Sequence, residues 1–184
     1  MKKITAALLL SAAVTAPAFA ADNGFYAGVT LGRSSVGTPA VAVIGASTKS
    51  TDTVFGALVG YQINRNVGVE AQFAGAGKFT TASTSAKADT FGASVVGTLP
   101  VSNAFGLYGK LGYASTKSSA SSTVAGVAGA TRGAATYGLG GVYNATPAVG
   151  IRFGWDRYGA AITSAGAKQN YNSNVYSLGA VFKF

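Results

Sequence analysis

Four side chains in this sequence could act as charges across a confined space: Glu70, Lys110, Arg152 and Asp156. Two are acids and two are bases, so together they make a neutral set of ion pairs, whereas each alone would need water. Other chemistry is scarce. The 184 residues include no His and no Cys, which removes Ser-His-Asp and Cys-His catalysis and the usual zinc and copper ligand sets. Neither an enzyme nor a cofactor is expected. The glycine-rich stretches are no substitute: "GLGGVY" (Gly138–Tyr143) follows no strand-to-helix turn, and "GKF" (Gly77–Phe79) lacks the Ser or Thr a phosphate loop places after its Lys.

For these charges to meet, the elements carrying them must present them on one face. Around each of them apolar residues recur at every second position, which is the period of a strand. Eight strands are predicted: Phe25–Arg33, Thr53–Ile63, Val67–Ala74, Phe91–Leu99, Phe105–Ala114, Ala135–Asn144, Ala148–Arg157 and Val175–Phe184. Short links with turn residues, "NRN", "PVSN" and "ATP", join some of them; the others are joined by long stretches rich in Ser, Thr, Ala and Gly. One parity of each strand is apolar, and no charge falls within it from Phe25 to Leu31 in the first strand, from Val149 to Trp155 in the seventh, or along the others. Glu70, Lys110, Arg152, Asp156 and Lys183 all fall on the opposite parity, among Gly, Ser and Thr.

A soluble sandwich also alternates, but its polar face would need many Lys and Glu, and only 10% of this chain is charged. A face so poor in charge and rich in Gly suits a narrow interior. The apolar face then points outward into lipid, where strands survive only in a closed barrel with every edge paired. The predicted fold is therefore all-β: an eight-stranded antiparallel, transmembrane, up-and-down β-barrel over residues 21–184, short turns in the periplasm and long loops outside. Aromatics sort to match, with Phe25, Tyr61, Phe105, Tyr143, Phe182 and Phe184 near the short turns and Phe73, Phe91, Tyr113, Tyr137, Trp155 and Tyr176 near the long loops, as two girdles. Interior Gly28, Gly56, Gly60, Gly138, Gly150 and Gly154 are expected to leave room for water.

The start of the chain reads as a secretory signal. "MKK" is a cationic flank, Ile4–Ala16 an apolar stretch and "AFA" (Ala18–Ala20) a small-residue cleavage site, so residues 1–20 are expected to be removed. Together with the barrel pattern this implies the cell outer membrane of a Gram-negative cell. The net charge of +9 sits mostly in the long loops, on Arg33, Lys49, Lys78, Lys87, Lys117, Arg132, Arg157 and Lys168 against Asp52 and Asp89. On an outer surface the natural counter-charges are lipopolysaccharide phosphates. Arg157, Arg33, Lys78 and Lys87 are the candidate contacts, Arg157 first because it continues the lipid-facing parity past Trp155. An exported chain with dispersed charges is not expected to bind nucleic acid.

"FYAGVTLG" (Phe25–Gly32), "GYQINRNVGVEAQF" (Gly60–Phe73), "LYGKLGY" (Leu107–Tyr113), "GGVYNATPAVGIRF" (Gly140–Phe153) and "SLGAVFKF" (Ser177–Phe184) resemble, in order and spacing, the barrel domain of the OmpA-like outer-membrane proteins, with OmpX-type small barrels as kin. The resemblance implies a monomer whose Ser177, Gly179, Phe182 and Phe184 form the signal read by the barrel-assembly machinery. It also implies that Glu70 and Arg152 form one of the family's interior ion pairs, with Lys110 another basic member. Val96 and Val142 stand where the relative has a Lys and a Glu, so a gated pore is not carried over, and neither is a cell-wall tether. The function expected is a structural and surface-interaction role in the outer membrane; the alternative is a narrow porin-like pore for ions or very small solutes.

Overall fold

The two-residue alternation gives strands, and almost nothing else, along the whole described chain. The structure is a computed structural model and describes residues 23–37, 51–76, 79–81, 84–122, 127–164 and 167–184. Residues 1–20, Lys49 and Lys78 lie outside that set, as do the side chains of Lys87 and Lys168. Its strands are β1 (Gly24–Gly37), β2 (Thr51–Asn64), β3 (Val67–Ala76), β4 (Phe79–Thr81), β5 (Thr84–Pro100), β6 (Phe105–Ser122), β7 (Val127–Gly129), β8 (Thr131–Asn144), β9 (Val149–Ser164) and β10 (Ala167–Lys183). The eight long strands pair antiparallel in chain order, and β10 pairs with both β9 and β1, so the sheet closes on itself. The three-residue β4 and β7 pair with β5 and β9.

At the short-turn ends the boundaries predicted from sequence agree with the structure to within a residue or so. There turn chemistry ends the strands: Asn64 Oδ1 accepts from the amides of Asn66 and Val67 (both 2.9 Å), Ser102 Oγ from that of Phe105 (3.0 Å) and Thr146 Oγ1 from that of Val149 (3.0 Å). At the other end the strands run well past the prediction, β5 back to Thr84, β6 on to Ser122 and β10 back to Ala167. Segments expected as long loops are in large part hairpin, because backbone pairing does not require the apolar alternation that marks the membrane-level part. The final residues are tied on both sides: Lys183 N donates to Ala148 O (2.8 Å) and Phe184 N to Phe25 O (2.9 Å).

Burial is inverted relative to a soluble protein. Phe25, Leu31 and Leu111 are 67%, 59% and 66% exposed, while Glu70 and Lys110 are 2% and 7% exposed. A water-filled surrounding would reverse both. Outward aromatic pairs mark both rims, Phe25 against Tyr61 (4.8 Å) at the short-turn end and Tyr137 against Trp155 (5.8 Å) at the other.

One seam interrupts the wall. The β8–β9 ladder stops at Tyr137↔Arg157, and pairing resumes between β7 and β9 at Gly129↔Ile162. Residues 130–136 therefore face only 158–161, so the β8–β9 ladder is interrupted there. Side chains replace the missing ladder: Thr136 Oγ1 donates to Arg157 O (2.8 Å) and Arg132 Nη1 to Ala160 O (3.1 Å).

Candidate functional site: the interior ion-pair layer

The inner face carries the site because residues two apart on a strand point the same way. Glu70 and Gln72 project inward from β3, Tyr108 and Lys110 from β6, Arg152 and Asp156 from β9, and Tyr26 from β1. The barrel is narrow enough for them to meet across it. Arg152 Nη1 reaches Glu70 Oε2 at 2.5 Å. Lys110 Nζ lies 2.9 Å from Asp156 Oδ1 and 3.7 Å from Glu70 Oε1, and donates to Gln72 Oε1 at 2.5 Å. Tyr26 OH donates to Glu70 Oε2 (3.3 Å), and the Arg152 guanidinium lies 3.9 Å from the ring centre of Tyr108.

All four charges are buried, and their formal sum is zero. At this depth an uncompensated charge would cost several kcal/mol, so the two acids and two bases require each other. The layer is not fully satisfied: among the described residues Glu70 Oε1, Gln72 Nε2, Ser94 Oγ and Arg152 Nη2 have no hydrogen-bond partner, the pattern of groups that bind ordered water. On the long-hairpin side the lining turns to hydroxyls and apolar groups. Thr90 meets Thr116 (3.0 Å), Ser34 meets Ser173 (2.6 Å), and Val54, Ala114, Tyr158 and Val175 pack together.

Two of the interior glycines, Gly60 and Gly154, accommodate tyrosine side chains. A Cβ on Gly60 would run into the Tyr26 ring, and one on Gly154 into the Tyr108 hydroxyl. Their absent side chains make space for tyrosines, not for water. Tyr26, Tyr108 and Gln72 are members of the site that the sequence reading missed. The available signal was position: two tyrosines on the otherwise small and polar parity, where an aromatic needs a hole to fill.

The remaining predicted residues are placed as follows. Asp156 pairs with Lys110 within the layer, while Lys183 stands at the short-turn mouth and donates to Asn144 Oδ1 (2.8 Å). Phe182 faces outward and exposed, Phe184 is half-buried at the rim, and Ser177 and Gly179 are half-buried in β10. Arg33 is exposed on β1 opposite Tyr176, and Arg157 is half-buried on β9 opposite Tyr137 and Asn174. Lys87 lies in β5 opposite Ser119.

Comparison with known proteins agrees with this architecture. No curated protein sequence matches the chain. Among solved structures it is similar to Neisserial surface protein A (TM-score 0.66, 20% identity, covering 88% of this chain and 97% of that one). It is also similar to Ail, the attachment invasion locus protein of Yersinia pestis (0.60, 19%, 88% and 99%), and to the N-terminal β-barrel domain of Pseudomonas aeruginosa OprF (0.58, 12%, 88% and 98%). At these identities the likeness establishes the fold. A family model, the outer membrane protein beta-barrel domain, matches residues 6–184, and the chain belongs to that family of outer-membrane barrels.

Proposed function

We propose that this protein is a non-enzymatic, monomeric barrel of structural and surface-interaction type, exported by a signal peptide at residues 1–20. The observation that carries the reading is the neutral, buried layer of Glu70, Lys110, Arg152 and Asp156, which fills the barrel at the level where a pore would need to pass. A barrel of this size holds side chains, not a channel. Steady porin-size conductance from the purified protein in planar bilayers would refute the reading, and a silent bilayer is expected. The alternative, a narrow pore, needs the same layer to part, and would show as small, intermittent currents enhanced by Glu70→Gln.

The long hairpins face outward, and lipopolysaccharide is the partner their charge favours. Arg33 and Tyr176 are directly opposed, as are Tyr176 and Trp155, and Arg157 follows Trp155 by two residues on β9. Two guanidiniums thus flank an aromatic pair at the height where head groups begin, the arrangement suited to phosphate. Ail has been solved in complex with the heparin analogue sucrose octasulfate, a polyanion on a barrel of this fold. The double variant Arg33→Ala/Arg157→Ala is expected to retain less lipopolysaccharide after detergent extraction than the parent; equal retention would remove these two residues from the proposal. Ser177, Gly179, Phe182 and Phe184 serve in this reading as the address for the barrel-assembly machinery.

A further inference from the structure

The lumen is closed a second time on the long-hairpin side of the ion-pair layer. Val54 on β2, Ala114 on β6, Tyr158 on β9 and Val175 on β10 form one buried cluster, with Ala74 on β3 packed against it. These strands lie on opposite sides of the ring, so their packing closes the barrel across its width. Register places the cluster next to the layer: Val175 pairs with Asp156, and Tyr158 follows Asp156 by two residues, about 7 Å farther along β9. Beyond it Thr116, Ser118, Ala160 and Ala161 are buried as well. The short-turn side differs. A cavity of about 670 Å³ lies there, and its lining reaches Tyr26, Tyr108 and Arg152 but not Glu70, Lys110 or Asp156.

A layer of ion pairs and an apolar cluster close a lumen by different physics. Charges that part can rehydrate, and the space between them then admits water. A constriction of ring and methyl groups offers water no partner and stays dry. We propose that the cluster around Tyr158 is a second seal in series with the ion-pair layer, so that parting of the layer admits water from the short-turn side but opens no path through the barrel. This rests on the silent-barrel reading and deepens it, since a narrow pore needs only the layer to part. Tyr158 is the body of the seal, its ring being the largest side chain in the cluster.

The chain has no Cys, so single thiols placed in the lumen report on access without background. Ser94→Cys marks the layer, because Ser94 pairs with Glu70 in the β3–β5 ladder, and Ala114→Cys marks the seal. Each is made in the full barrel, placed in phosphatidylcholine nanodiscs and reacted with a small cationic methanethiosulfonate. The layer is opened by Glu70→Ala/Arg152→Ala, which removes one acid and one base and keeps the interior neutral. That pair is expected to raise the Ser94→Cys rate at least about tenfold and to leave Ala114→Cys within about threefold of its starting rate. Adding Tyr158→Ala should then raise the Ala114→Cys rate at least about tenfold, whereas Tyr158→Phe should not. In planar bilayers the layer variant should stay as silent as the parent. Heat-modifiable gel mobility confirms the barrel in each protein, and Glu70→Gln/Arg152→Gln replaces the alanine pair where that pair does not fold. The seal is overturned if the two thiols become reactive together in the layer variant, if Ser94→Cys stays protected there, or if Tyr158→Ala leaves Ala114→Cys unchanged. Currents from the layer variant alone would overturn the seal, while currents already present in the parent would overturn the silent-barrel reading itself.

Discussion

Glu70 is the acid on which the interior depends, since Arg152, Lys110 and the Tyr26 hydroxyl all address it. Glu70→Gln keeps the shape and removes the charge, leaving two buried bases to share Asp156. A loss of about 3 kcal/mol in unfolding free energy is expected, read from urea titrations in lipid vesicles. Adding Arg152→Met should restore at least about 1 kcal/mol of it, because the pair is coupled. Wild-type stability in the single variant would mean that ion pairing does not hold the layer. A second residue-scale expectation follows from Gly154, where a methyl meets the Tyr108 hydroxyl. Gly154→Ala should cost about 1–3 kcal/mol, and Tyr108→Phe in the same chain should recover part of that. No recovery would show that the clash lies with the backbone.

Strands show their environment through parity, and the two parities should respond oppositely to charge. Val95 lies on the outward face of β5 midway between Phe91 and Leu99 and is 55% exposed, yet Val95→Lys is expected to cost about 2–4 kcal/mol in a bilayer. A solvent-facing residue of that exposure would tolerate the change within about 0.5 kcal/mol, so the vesicle unfolding curve distinguishes the two environments. At the β8–β9 seam the wall depends on side chains. Thr136→Val removes the hydroxyl donor to Arg157 O, with an expected cost of about 1 kcal/mol. In hydrogen exchange, amides of residues 131–136 should open faster than those of β6 at the same height, and equal protection would show that the seam is as well bonded as the ladder.

For the whole molecule, closure is the property that makes the exposed apolar surface stable. With β10 paired to both β9 and β1, each of the eight long strands has a neighbour on both sides at the level of the lipid-facing residues. The folded barrel should resist SDS at room temperature and migrate faster unboiled than boiled. Identical mobility, or a folded state that persists in buffer without detergent, would contradict a lipid-solvated outer face.

The alternation by itself determined which segments are strands, which parity faces lipid, and that Glu70, Lys110, Arg152, Asp156 and Lys183 share the inside. These follow from a local rule, the two-residue period, together with the high cost of a charge in hydrocarbon. The family resemblance already implied the Glu70–Arg152 pair; tertiary structure alone decided that Lys110 meets Asp156, that Tyr26 and Tyr108 occupy the holes left by Gly60 and Gly154, that the hairpins continue past the membrane, and where the wall has its seam. Each of these depends on the stagger between strands far apart in sequence. Stagger is set by closing the whole ring, so no single strand encodes it.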